Sequence, residues 1–194
     1  MSPPPVPAPL VLPASLADYR PFPNEERRNL FQGMLEVPLM AWALRLPTGV
    51  RVLEVGCGRG VALPALARAL APSRLVGIDV DASLIVEADR RLAARGVAAE
   101  VSHADVRDLP FAAGSFDVVI DFGTCYHISR PTEALDEIAR VLAPGGLFVY
   151  ETPLSQLLSH PMRAFGRRIP WHSAPRFAPY RARLLWSSRV RAMP

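Results

Sequence analysis

From Val50 onward the chain alternates short apolar runs with amphipathic helical stretches, and this alternation limits the fold more than any other feature. Val50–Val55 (VRVLEV) reads as a strand, and GCGRG turns it into a helix over Val61–Ala71, where Pro64 falls in the tolerant first turn. Leu75–Val80 is a second strand. Asp81 is placed to N-cap a helix that carries Ile85, Ala88 and Leu92 on one face. Ala99–His103 and Phe116–Asp121 read as a third and a fourth strand. Pro131 opens a helix with Leu135, Ile138 and Leu142 at helical spacing; Pro144-Gly145-Gly146 ends it ahead of a fifth strand, Leu147–Glu151. Strands that alternate with helices pair in parallel through right-handed crossovers, and near-continuous apolar strands fit burial on both faces. The predicted fold class is α/β: a doubly wound, mostly parallel, Rossmann-like sheet.

The flanks differ from this core, residues 50–153. Residues 1–23 hold eight prolines, which bar a helix interior or a central strand and predict an extended tail. Residues 24–49 read as a helical lid segment, with Leu30, Met34, Leu35 and Trp42 as an apolar stripe interrupted at Pro38. Residues 154–194 are an Arg-rich segment expected to complete the fold or the lid. Ser155–Arg168 has helical character broken by Pro161, and Arg183–Val190 reads as a terminal strand. The three prolines of Ile169–Tyr180 leave no clean strand there, so a shortened C-terminal hairpin is expected.

A chain of 194 residues is one domain on length. No stretch reaches the ~18 uncharged apolar residues of a membrane span. The first residues lack a basic n-region, so no signal peptide is read and a cytoplasmic location is expected. Two cysteines, Cys57 and Cys125, and four scattered histidines give no metal-ligand spacing, and no metal is expected. All 22 basic residues are arginine. Eight of them, with no acid, lie between Leu154 and the end; removing that +8 from the net +4 leaves −4 for residues 1–153. Such asymmetry fits a solvated basic terminus, and it also fits an acidic partner or a nucleic acid.

The chemistry concentrates in three places. Gly56, Gly58 and Gly60 follow a strand and open a helix, where a doubly wound sheet binds its ligand. The dinucleotide fingerprint G-x-G-x-x-G would need glycine where Val61 stands, and Glu54 lies two residues before the first glycine. Asp79 ends the second strand, 23 positions after Gly56, where a carboxylate can accept both hydroxyls of a ribose. Asp81 is better placed than Asp79 to cap the helix, which leaves Asp79 for the ligand.

VLEVGCGRG resembles motif I of the class I S-adenosylmethionine-dependent methyltransferases, and three further segments resemble that family in the correct order: the D-x-x-x-L-P-F segment at Asp105–Phe111, SFDVVIDFGTCYHI as motif IV, and RVLAPGGLFV. Together they cover roughly Val50 to Thr152. The resemblance implies that Glu54 helps hold the cofactor's methionine ammonium, with Gly56, Cys57 and Gly58 along the methionine part. It implies Asp79 and Val80 at the ribose, Asp105 on the adenine amino group, the Val106 N–H on a ring nitrogen, and Asp121 and Phe122 in the same cleft. S-adenosyl-L-methionine is then the cofactor and S-adenosyl-L-homocysteine the product. The acceptor is expected to be a small molecule, with an oxygen atom methylated by in-line displacement, and His127, Tyr126 and Asp121 are the catalytic candidates. An Asn-Pro-Pro-Tyr loop, typical of amide and exocyclic-amine methylation, is absent, since the loop reads Asp121-Phe-Gly-Thr. Two alternatives stand beside this reading: an RNA methyltransferase using the basic C-terminus, and a non-catalytic cofactor-binding protein.

Overall fold

Strand β1 (Arg51–Val55) is the hinge of the architecture: it pairs in parallel with β2 (Arg74–Asp79) on one side and with β4 (Phe116–Asp121) on the other. The computed structural model describes residues 29–152, 177–182 and 185–192. β3 (Glu100–His103) extends the sheet beyond β2, while β5 (Leu142–Glu151), β7 (Trp186–Arg191) and β6 (Phe177–Ala182) extend it beyond β4. The order is β3-β2-β1-β4-β5-β7-β6, and only β7 runs antiparallel to its neighbours. The direction of progression through the sheet reverses between β1 and β4, so the switch point lies at the carboxyl ends of those two strands.

Alternate side chains divide the core. Leu53, Val55, Val119 and Phe148 face α5 (Pro131–Val141), which contributes Ala134, Leu135 and Ile138. Val52, Val118, Ile120 and Val149 face the other way, toward α1 (Val37–Leu44) and α2 (Leu63–Leu70), and Leu92 of α3 (Ala82–Arg95) joins them. This two-sided burial explains why the strands read as apolar runs without alternation. Asp81 caps α3 as expected, its carboxylate accepting the Ser83 N–H at 2.8 Å. Phe116, fully buried, meets Phe111 edge-on with ring centroids 5.0 Å apart. Phe116→Ala is expected to cost about 3–5 kcal/mol, read as a lower urea midpoint with an unchanged slope.

Three expectations need correction. The closing hairpin is complete: β6 and β7 are each six residues long and pair in antiparallel register from Phe177↔Arg191 to Ala182↔Ser187. Pro179 is tolerated because β6 is an edge strand and its register shifts between Pro179 and Arg181. The terminal strand starts at Trp186, three residues later than expected. Likewise α5 stops at Val141, and β5 takes up the Pro-Gly-Gly segment as an irregular start, between Phe116↔Leu142 and Val118↔Leu147.

The N-terminal helix turns its apolar stripe away from the core. A π-helical turn, Gln32–Glu36, runs into α1, and the side turned to the core carries Gln32, Glu36, Val37, Met40 and Leu44. The apolar stripe of Leu30, Met34, Leu35 and Trp42 is exposed, Trp42 at 79%. A π turn is wider than an α turn and rotates the residues before it relative to those after it. Glu36 is kept inside by Trp186, whose Nε1 donates to Oε1 at 3.4 Å. The tail at 1–23, the Ser155–Arg168 helix and most of the Arg-rich segment lie outside the described residues. Among the described residues, no helix is long and apolar enough to cross a membrane.

Candidate active site

The sheet register brings the chemically distinctive residues to one end. Val55 is level with Ile78 and with Asp121, and Asp79 is level with His103. The glycine turn after β1, the end of β2, the loop after β3 and the loop after β4 therefore meet around the switch point.

At the turn, Gly56 and Gly58 both adopt left-handed backbone, with φ of +68° and +51°. A Cβ on Gly56 would fall 1.8 Å from Thr124 Oγ1, whereas one on Gly58 would meet nothing within 4 Å. The first glycine thus lets the loop after β4 pack against the turn, and the second borders open space. Thr124 completes the junction by donating its hydroxyl to the Val55 carbonyl at 3.2 Å. Cys57 is buried, and its thiol is pushed up by burial first and by the charges of Glu54 and Asp79 after it. Its side chain lies against β2 at Gly77.

Glu54 is the anomaly of the site. It is almost fully buried, and its Oε2 has no hydrogen-bond partner among the described residues. Burial, then the charges of Asp79 and Asp121, push its carboxyl up to about 8. A carboxyl inside the protein with a vacant acceptor atom and acidic neighbours is matched by a cationic hydrogen-bond donor. Asp79 is raised chiefly by burial, against the backbone N–H groups of Asp81 (2.9 Å) and Gly58 (2.8 Å) that it accepts. Each of its oxygens takes one of these bonds and retains a lone pair for a hydroxyl. Val80 lies beside it, and its carbonyl pairs with His103 Nε2 at 3.0 Å.

After β3, Asp105 is bound on both oxygens by the Arg107 guanidinium and on Oδ1 also by the Arg107 N–H. Burial acts to raise Asp105, but the bonds from Arg107 outweigh it and hold the carboxyl below its usual range. The carboxylate remains about a third exposed, and the neighbouring Val106 is buried. The loop itself is clamped onto α5: Glu137 accepts the Leu109 N–H at 2.8 Å, and Arg140 donates to the carbonyls of Leu109 and Phe111.

After β4, Asp121 is fully buried and its two oxygens accept the N–H groups of Gly123, Thr124 and Cys125. It therefore shapes the turn into the short helix α4 (Thr124–His127), and proton transfer is not its task. Tyr126 is buried as well, and its hydroxyl donates to the Glu151 carbonyl at 2.9 Å. Burial first, then neighbouring acidic groups, push that phenol up, so it is a tether between α4 and β5. His127, the third catalytic candidate, lies at the end of α4 and is half-buried, as is Phe122. Thr124, Arg107 and Glu137 were not singled out from the sequence. The first could have been found as the partner that a glycine-only position demands, but the other two offer no signal before the loops are folded. No metal-binding cluster of His, Cys, Asp or Glu occurs among the described residues.

A family described as a methyltransferase domain matches residues 52–146. A fatty-acid O-methyltransferase of Mycolicibacterium smegmatis is 40% identical over 53% of this chain and 36% of its own. A phthiotriol/phenolphthiotriol dimycocerosates methyltransferase of Mycobacterium leprae is 34% identical over 73% of this chain and 48% of its own. The chain thus spans between a third and a half of these relatives. Among solved structures, a SAM-dependent methyltransferase from Aquifex aeolicus superposes with a TM-score of 0.69 at 18% identity, over 88% of this chain and 98% of that one, a likeness of fold.

Proposed function

Residues 52–146 are a methyltransferase domain of the class I S-adenosylmethionine-dependent kind, and from that premise we propose that the chain methylates an oxygen of a small apolar acceptor. The observation that carries the cofactor side is the unpartnered, buried Oε2 of Glu54 beside a glycine turn bordered by open space. The residues fit the group: Glu54 would hold the methionine ammonium, Asp79 the ribose hydroxyls, and Asp105 with the Val106 N–H the adenine. A dinucleotide brings a pyrophosphate to this turn instead, which supplies no cationic donor for the unpartnered Glu54 Oε2.

When bound, S-adenosylmethionine supplies a methyl group on a positively charged sulfur, a leaving group that needs no further activation. What the protein adds is position. Asp121 and Thr124 fix the loop after β4 against the turn, Tyr126 fixes α4 to β5, and His127, at the end of α4, would take a proton from a hydroxyl or orient a carboxylate. The exposed apolar side of the N-terminal helix, Leu30 to Trp42, supplies a surface for an apolar acceptor. The names of the two relatives, a fatty-acid and a phthiotriol-type methyltransferase, support an apolar acceptor, and the first supports oxygen.

The test is calorimetry with S-adenosylmethionine, S-adenosylhomocysteine and NADH, followed by radiolabelled methyl transfer to fatty acids, phenols and RNA. Binding of the first two and transfer to an apolar hydroxyl or carboxylate is expected. Affinity for NADH alone, or transfer to RNA only, would overturn the proposal. His127→Ala should lower turnover about 10²-fold while cofactor affinity stays within about twofold, the pattern of a lost proton acceptor. Wild-type turnover in that variant would remove His127 from the mechanism.

A further inference from the structure

Arg107 joins two loops that no backbone pairing connects. Its Nε and Nη2 hold the Asp105 carboxylate, while its Nη1 donates to Ser129 Oγ at 3.0 Å, two residues beyond the end of α4. The guanidinium is only 10% exposed, and the charge of Glu133 also favours it there. A planar fork with donors on both sides can bridge in this way, where an ammonium cannot. At its other end the same loop is tied to β1 by the bond from Thr124 to Val55 and packs on Gly56. The stretch 121–130, with His127 inside it, is therefore pinned at the glycine turn through Thr124, at β5 through Tyr126, and at Asp105 through Ser129.

We infer that Arg107 is a positioning residue that makes occupation of the adenine site at Asp105 set the order of the acceptor-side loop. This rests on the cofactor reading above. Asp105 remains a third exposed, so it can accept a further donor while it holds Arg107. A ligand that immobilises the carboxylate immobilises the guanidinium bound to it, and through Nη1 the segment at Ser129. Ordering of one site then lowers the entropy cost of ordering the other. The far end of the loop that carries His127 is then better ordered on a protein already loaded with cofactor, which favours a binding order without any large movement.

Hydrogen exchange of the full chain with and without saturating S-adenosylhomocysteine reads this directly. In the wild type the ligand should slow exchange at the amides of 126–130 about tenfold or more, as well as at Gly56–Gly60. Ser129→Ala cuts the bridge without touching Asp105. It should bind S-adenosylhomocysteine within about threefold of the wild type and protect Gly56–Gly60 as before, but lose most of the protection at 126–130. Arg107→Lys keeps the charge beside Asp105 and removes the fork, so it should give the same split. Full protection of 126–130 in both variants overturns the inference and leaves the cofactor reading standing. A wild type that does not bind S-adenosylhomocysteine overturns both.

Discussion

Alanine at position 56 is expected to abolish measurable cofactor binding and to lower stability by about 2–4 kcal/mol. Two independent costs combine there. The backbone sits at φ +68°, which costs a Cβ-bearing residue about 1–2 kcal/mol. The new methyl would also overlap Thr124 Oγ1 at 1.8 Å, so the loop after β4 must retreat and the Thr124–Val55 bond is lost. Gly58→Ala separates the two functions, because its Cβ would project into open space at φ +51°. That variant should lose only about 1 kcal/mol of stability yet bind cofactor at least tenfold more weakly. Differential scanning calorimetry and titration with S-adenosylhomocysteine would show both effects. A Gly56→Ala protein as stable as the wild type would mean that Thr124 does not pack against the turn.

Glu54→Gln is expected to move stability and binding in opposite directions. The folded chain holds this carboxyl at about 8, well above its ordinary value of 4.5, because burial and the acidic neighbours oppose ionisation. The folded state therefore binds more protons than the unfolded one. The stability linked to Glu54 is complete below pH 4.5 and is lost as pH rises toward 8. The ligand-free glutamine variant should be more stable than the wild type by on the order of 2–4 kcal/mol at pH 8, with little difference at pH 4. Its affinity for the cofactor should fall about 10²-fold, the loss of a buried charge pair. In the wild type a cation arriving at Glu54 lowers its pKa, so binding near pH 7 should release a proton. Titrations in buffers of different ionisation enthalpy would detect that proton, and its absence in both wild type and variant would remove Glu54 from the cofactor site.

The opposed effects at Glu54 also mark where the sequence spoke clearly. Strand β4 was read at its observed limits and the other core strands to within a few residues, because two-sided burial leaves an unbroken apolar run. The glycine turn and Asp79 were legible because their spacing fixes a backbone path. Edges and ends were not. Pro179 hid β6, since a proline argues against a strand only where its missing N–H would be needed. No residue type announces the π turn at Gln32–Glu36. In the site, residue identity alone does not announce that Asp121 accepts backbone amides of the turn or that Tyr126 donates to the Glu151 carbonyl. A carboxylate facing backbone amides and one facing solvent look alike as letters.

The pairing of β1 with β4 has a kinetic side. Its partners, Val52↔Val118 to Val55↔Asp121, lie 66 residues apart, so closing this pair fixes a far longer loop than the β1–β2 and β4–β5 contacts require. The βαβ units on either side can each condense early from near neighbours. The cleft exists only once they have docked on each other, and the Arg51–Asp117 bond closes across the same seam at its far end. Refolding should therefore regain helical signal in an early phase and cofactor affinity only in the later, rate-limiting one. A chain emerging from the ribosome cannot hold its ligand until β4 has been made.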